Sequence, residues 1–194
     1  MRETSTQSRE VIDIIGDVVG RAATDCILSV PDNKGGFKEV ECPKINFVFG
    51  NAQYVKDLLD ELSKTTKGNE LKFPMIVLFF PFEEQRDNPG YYSKTNVRLW
   101  IAHSSRQQWS NEQRLEYSFR RVLRPIYKRL CEELRQDRRL DFGYDDVIRH
   151  KYSENYSIGR YGALTPAGEE VSEPIDAIYI NNLELKVKLP NCRF

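Results

Sequence analysis

The residues best suited to chemistry lie near the end of the chain. Pro174 and Asp176 precede a predicted strand on which Glu184 and Lys186 are separated by one residue. Two carboxylates can hold a Mg²⁺ ion while a nearby lysine steadies an attacking water, which is the chemistry of metal-dependent hydrolysis. Acidic residues and lysines also alternate by chance on exposed strand faces, so hydrolysis is kept as an alternative interpretation.

Other patterns that carry chemistry are weak. The cysteines and histidines are few and widely spaced: Cys26, Cys42, Cys131, Cys192, His103 and His150. This spacing argues against a zinc site, and the glycines form no phosphate-binding loop. The polar N-terminus does not resemble a signal peptide, which favours reduced thiols in a cytoplasmic setting. We predict no cofactor, no metal and no enzymatic activity.

The composition shows no overall charge bias. The 194 residues include 29 Lys and Arg and 29 Asp and Glu, so the formal net charge is zero. This length suits a single domain spanning residues 1–194. A neutral chain has no general attraction to nucleic acid or anionic lipid, and its longest apolar run, 75–82, is too short to cross a bilayer. We expect a soluble protein without a membrane partner.

Hydrophobic periodicity predicts the elements of the first half. Apolar residues at helical spacing predict amphipathic helices over 7–23 and over 51–64, the second capped by Asn51. Segments 26–30 and 37–49 carry the residues of short strands, separated by turn residues.

The second half centres on a predicted hairpin and a long helix. The strand over 73–82 is apolar on both alternating sets, as expected for a strand covered on both faces, and it would pair with 97–102. A capping-box pattern begins a helix over 110–135, in which Pro125 predicts a kink or break near 121–124. Alternation over 177–189 predicts the last strand, with a bulge or turn at its two asparagines.

These elements predict an α+β fold. A mostly antiparallel sheet would be packed by an N-terminal helix and a long basic helix. The segment 141–174 lacks periodicity and is too long for an ordinary connection, so it is expected to form an extended loop or arm before the last strand.

The long helix is locally basic. Residues 111–140 contain nine Lys and Arg against five Asp and Glu. On an α-helical wheel, four basic residues spaced by sevens form one stripe: Arg114, Arg121, Lys128 and Arg135. Such a stripe is either a solvated outer face or a surface that docks on protein or faces DNA.

The predicted arm is rich in the residues that protein interfaces concentrate. Its interface candidates are Tyr144, Tyr152, Tyr156, Arg160 and Tyr161. The arm could order on a neighbouring subunit, or its tyrosines could cap the edge of the chain's own core.

Three segments carry a resemblance of layout to a known family. They are Phe73-Pro-Met-Ile-Val-Leu-Phe79, Asn96-Val-Arg-Leu-Trp-Ile101 and Asn182-Leu-Glu-Leu-Lys-Val187. Their order around the long helix resembles the tail-terminator or tail-completion proteins of long-tailed bacteriophages. The resemblance covers roughly 11–187, and the long segment 141–174 departs from the shorter members.

The resemblance implies a structural virion protein that is assembled in the host cytoplasm. It would form a ring, commonly a hexamer, at the head-proximal end of the tail, and would contact the tail tube protein and a neck or connector protein. Each sheet edge or arm would dock on the next subunit, and the basic helix would face the adjoining ring or DNA in the lumen.

Three alternatives to a tail terminator stay open. The first is a head-tail joining protein of the neck. The second is a Mg²⁺-dependent nuclease of the PD-(D/E)xK type that uses Asp176, Glu184 and Lys186. The third is an adaptor that binds nucleic acid through its basic helix.

Overall fold

The computed structural model describes residues 8–24, 26–32, 36–63, 72–86, 90–106, 108–158 and 174–189. Its helices and strands in chain order are α1 Val11–Thr24, β1 Ile27–Pro31, β2 Phe37–Glu41, β3 Asn46–Gly50, α2 Ala52–Ser63, β4 Met75–Phe79, β5 Glu84–Arg86, β6 Tyr92–Ser104, α3, β7 Lys151–Ile158 and β8 Ile175–Lys188. The long helix α3 has three consecutive segments, Asn111–Arg114, Leu115–Leu123 and Arg124–Gln136. The α+β fold predicted from the sequence is confirmed.

The main sheet has the strand order β3-β4-β6-β8-β7, and the short β5 also pairs with β6. The predicted hairpin is confirmed, because β4 and β6 are antiparallel, with Met75 opposite Ala102 and Phe79 opposite Arg98. Only β3 and β4 pair in parallel among the described strands. The strands β1 and β2 form a separate two-stranded ribbon.

Helices cover both faces of the sheet. The larger core lies between the sheet and the two helices α1 and α3, where the apolar stripe of α1 meets the inward residues of β4, β6 and β8. A smaller core lies under α2 on the other face, and contains Val55, Met75, Val77, Ala102 and Ala177. Because β4 contributes to both cores, its sequence is apolar at successive positions, as expected for a strand buried on both faces.

Local sequence signals set the helix starts. Asn51 accepts the backbone N–H of Tyr54 at 2.8 Å, which satisfies a free donor in the first turn of α2. Ser110 and Gln113 form a reciprocal capping box at the start of α3, with bonds of 3.2 and 2.9 Å. Both caps confirm the predicted starts of these helices.

The middle segment of α3, Leu115–Leu123, is π-helical. The N–H of Arg124 donates to the carbonyl of Phe119, five residues earlier, and Pro125 follows in the first turn of the next α-helical segment. The kink or break predicted over 121–124 is replaced by a continuous helix whose winding changes at that place. Since Pro125 has no N–H to donate, the helix already lacks one backbone hydrogen bond there, and a change of hydrogen-bonding pattern just before it costs few further bonds.

The predicted loop over 141–174 contains a strand. Residues 151–158 form β7, which pairs with β8 from Lys151 opposite Asn181 to Ile158 opposite Ile175. The prediction of an extended loop is therefore wrong for this part, and 159–173 lie outside the described residues. The strand lies at an edge of the sheet and is mostly polar, so it lacks the apolar alternation on which the prediction relied.

The strand β8 carries the predicted bulge. Val97 pairs with Leu183 and Leu99 pairs with Ile180, so β8 has one more residue than β6 between these pairs. Asn182 has a φ of 52°, in the left-handed region that asparagine tolerates better than most residues.

A partly buried ion network joins α1 to the end of α3. Arg139, which is 2% exposed, donates to the carboxylate of Asp137 at 2.9 and 2.7 Å and to Asp17 of α1 at 2.7 Å. Arg21 of α1 donates to Asp137 at 2.7 Å and to Glu133 at 3.1 Å. Burial by itself would raise the pKa of Asp137, but the hydrogen bonds from Arg139 and Arg21 lower it to about 2.

Candidate interaction surface

The predicted metal-binding residues do not come together. Asp176 lies on the face covered by α3, is fully buried, and accepts a hydrogen bond from Arg114 at 3.1 Å. Glu184 is exposed on the other face, eight residues along the same strand, which is about 26 Å at roughly 3.3 Å per residue. Lys186 donates to Asp141 at 2.8 Å. Within the described residues, no group of three His, Cys, Asp or Glu side chains could hold a metal ion.

A buried polar cluster surrounds the Arg114–Asp176 pair. Arg114 also donates to the carbonyls of Arg106 and Trp109, so its guanidinium ties the start of α3 to the preceding loop. His103 lies opposite Asp176 in the sheet, and burial lowers its pKa to about 4 although Asp176 opposes the shift. The ring is therefore neutral near neutral pH. These contacts indicate a structural role for Asp176.

The predicted basic stripe does not form one exposed face. Arg114 is buried, whereas the side chain of Lys128 is 78% exposed and that of Arg135 is half exposed, 3.2 Å from Asp146. Arg121 is partly buried against the β1–β2 ribbon. A π-helical turn holds more residues than the roughly 3.6 of an α-helix, so residues spaced by sevens no longer align.

The tyrosine candidates differ in their surroundings. Tyr144 is fully exposed in the loop before β7. Tyr152 is 41% exposed on β7, and its ring packs against that of Tyr127 on α3 with centroids 4.9 Å apart. The side chain of Tyr156, together with Arg160 and Tyr161, lies outside the described residues. Tyr144 and Tyr152 therefore agree with an exposed surface, although Tyr152 also packs on its own chain.

Polar contacts hold β7 against α3. Arg124 donates to both carboxylate oxygens of Glu154 at 2.8 and 3.1 Å, and Tyr152 donates to the same group. The hydrogen bond from Arg124 lowers the pKa of Glu154, although burial opposes this shift. One turn further along α3, Tyr127 and His150 share a hydrogen bond of 2.7 Å. These contacts explain how a polar strand is fixed at the sheet edge.

The most distinctive surface was not predicted. Three aromatic rings and two guanidinium groups form a continuous set, which we call the aromatic–arginine patch: Phe37, Arg106, Trp109, Tyr117 and Arg121. The ring of Tyr117 contacts those of Phe37 and Trp109 edge to face, each at 5.2 Å between centroids. The guanidinium of Arg121 lies 3.7 Å from the centre of the Phe37 ring, and that of Arg106 lies 5.7 Å from Trp109.

Three elements position this patch. The loop before α3 supplies Arg106 and Trp109, the π-helical segment supplies Tyr117 and Arg121, and β2 supplies Phe37. Arg121 also donates to Ser29 of β1 at 3.2 Å, which fixes the ribbon on the helix. Phe37 is 39% exposed and Arg106 is exposed, so the patch is ordered by its own contacts while part of it faces solvent. Arginine, tryptophan and tyrosine are the residues that dominate binding energy at protein interfaces.

Only part of the aromatic–arginine patch can be recognised from the sequence. Trp109 and Tyr117 are close along the chain and flank a predicted helix start. Phe37 is distant in sequence and joins them only because the β1–β2 ribbon packs on α3.

No protein-family model matches this chain, and no curated protein matches it at a significant level. Among the described residues, no helix combines the length and apolar character needed to cross a membrane. The function proposed below is therefore based on the surface chemistry and the layout of the fold.

Proposed function

We propose that this chain is a structural subunit that acts by assembling with other protein chains. The observation that carries this proposal is the aromatic–arginine patch, in which rings and guanidinium groups are held by neighbours yet partly exposed. A preordered surface of this composition loses little side-chain entropy on binding, so it is suited to a protein interface.

Within that class, we propose that the chain is a tail terminator or tail-completion protein of a long-tailed bacteriophage. Subunits join through heterologous contacts into a closed ring, which we propose to be a hexamer at the head-proximal end of the tail within the virion. The support is the resemblance of layout together with the mixed sheet, the long helix α3 and the strand β7 at an open edge.

The outer partners of the ring are a tail tube protein on one side and a neck or connector protein on the other. Tyr144, fully exposed in the loop before β7, is available for such a contact. A position in the neck is the second candidate, and binding to the tail tube protein separates the two. The exposed Lys128 and Arg135 are the basic residues of α3 that could face DNA in the lumen.

Absolute mass by light scattering across a concentration range tests the proposal. We expect a species several times the 22.7 kDa chain mass, either alone or with the tail tube protein. A chain that stays monomeric at high concentration and binds no tail tube protein would refute it. Incubation of DNA with the protein and Mg²⁺ or Mn²⁺ tests the nuclease alternative. We expect the DNA to remain unchanged, whereas cleavage would support a nuclease.

A further inference from the structure

A second exposed surface lies between α1 and the edge strand β3. A groove of about 820 Å³ runs along the outer side of α1 and is walled by Phe47 and Phe49 of β3. Gly16 and Gly20 form part of its α1 wall, and a Cβ atom added at Gly20 would meet no atom within 4 Å. Phe49 is 47% exposed. The groove therefore offers open space beside aromatic rings, which suits an apolar or aromatic side chain.

The groove also carries negative charge. Asp13 and Asp17 of α1 lie along it, together with Arg21. Asp17 is bound by Arg139, and Arg21 is held by two carboxylates of the ion network at the end of α3. Asp13 is exposed and makes no salt bridge within the described parts of the chain. Among the described residues nothing competes for its carboxylate, which can accept a cation from another molecule.

The aromatic–arginine patch has the complementary chemistry. Arg106 is exposed and forms no ion pair with a described residue, and it lies beside the ring of Trp109. The patch thus presents a guanidinium next to aromatic rings, whereas the groove presents a carboxylate next to open space with aromatic walls. The two surfaces share no residue and lie on different elements, so one copy can present both at once.

We propose that the aromatic–arginine patch of one copy docks in the α1–β3 groove of the next copy. Arg106 pairs with Asp13, and rings of the patch occupy the space above Gly20. Because the two surfaces differ, the contact is heterologous, and its repetition closes a ring or extends a filament. This inference rests on the proposed function and names the two surfaces that would build the ring.

Two variants each block one of the two surfaces and leave the residues of the core unchanged. Gly20→Gln fills the groove with a good helix former, and Gly20→Ala is its matched control because an alanine leaves the groove open. Arg106→Glu combined with Phe37→Thr reverses the charge at the position that would pair with Asp13 and removes an exposed ring while keeping a residue suited to a strand. Circular dichroism and thermal unfolding verify that each variant is folded.

The decisive experiment mixes the two blocked variants and measures mass by light scattering. Each variant alone should stay monomeric under conditions where the unchanged chain and Gly20→Ala assemble. The mixture retains one intact patch and one intact groove, so it should form a dimer of about twice 22.7 kDa and nothing larger.

The other outcomes are equally informative. Blocked variants that assemble like the unchanged chain would overturn this contact and leave the proposed ring standing. A mixture that stays monomeric would also overturn it, since the intact patch and groove would then not bind each other. An unchanged chain that is monomeric under every condition, including with the tail tube protein, would overturn the contact and the proposed function together.

Discussion

Replacing Asp137 with asparagine tests whether the network between α1 and α3 makes the fold sensitive to acid. The pKa of this carboxyl is lowered from 3.8 to about 2 by the hydrogen bonds of Arg139 and Arg21, although burial opposes the shift. Each unit by which the pKa of the folded state lies below that of the unfolded state corresponds to roughly 1.4 kcal/mol, so this carboxyl contributes on the order of 2 kcal/mol of stability at neutral pH.

The sign of the pH dependence follows from the direction of the shift. Because the pKa of Asp137 is lower in the folded state, the ionised carboxylate stabilises the fold. This stabilisation has its full value well above pH 4 and disappears as the pH falls from about 4 to about 2. Urea unfolding should show Asp137→Asn to be less stable than the unchanged chain by on the order of 2 kcal/mol at pH 7, with this difference roughly halved at pH 3.

The control is Asp60→Asn, which changes an exposed carboxylate on α2 and should have little effect at either pH. An equal stability loss for Asp137→Asn at pH 7 and at pH 3 would refute the reasoning, because the loss would then not depend on the ionised carboxylate.

Two further pairs of substitutions test the groove and the core by denaturant unfolding. Gly20→Ala should stabilise the chain by up to about 1 kcal/mol, whereas Gly16→Ala should gain less because its Cβ would lie 3.3 Å from an aromatic ring; equal gains at both sites would contradict the close contact. Arg114→Leu should cost about 3–5 kcal/mol by leaving a buried carboxylate without this partner, and adding Asp176→Leu should recover much of that loss. Additive losses in the double variant would show that the two side chains are not coupled.

The sequence predicted the elements whose signals are local. Three such signals are each typical of one kind of element. They are the apolar stripe of α1, the capping residues Asn51 and Ser110, and the strand β4 that is apolar on both faces. These signals depend on residues close together in the chain, and the structure confirms them.

The missed features depend on contacts between distant segments. The strand β7 is polar and is fixed by Arg124 of α3 and by pairing with β8, neither of which is visible in its own sequence. The prediction of a basic stripe assumed α-helical winding, which the π-helical segment does not follow, and Arg114, just before that segment, is buried against Asp176. The aromatic–arginine patch needs the β1–β2 ribbon to place Phe37 beside α3.

The bulge in β8 makes one position of the chain tolerant of a change in length. Loss of Asn182 would keep Ile180 opposite Leu99 and Leu183 opposite Val97, so both halves of β8 would retain their partners and their buried faces. Loss of a residue elsewhere in β8 would turn one half over and expose its apolar side chains. Insertions and deletions that survive evolution in this strand should therefore concentrate at the two asparagines.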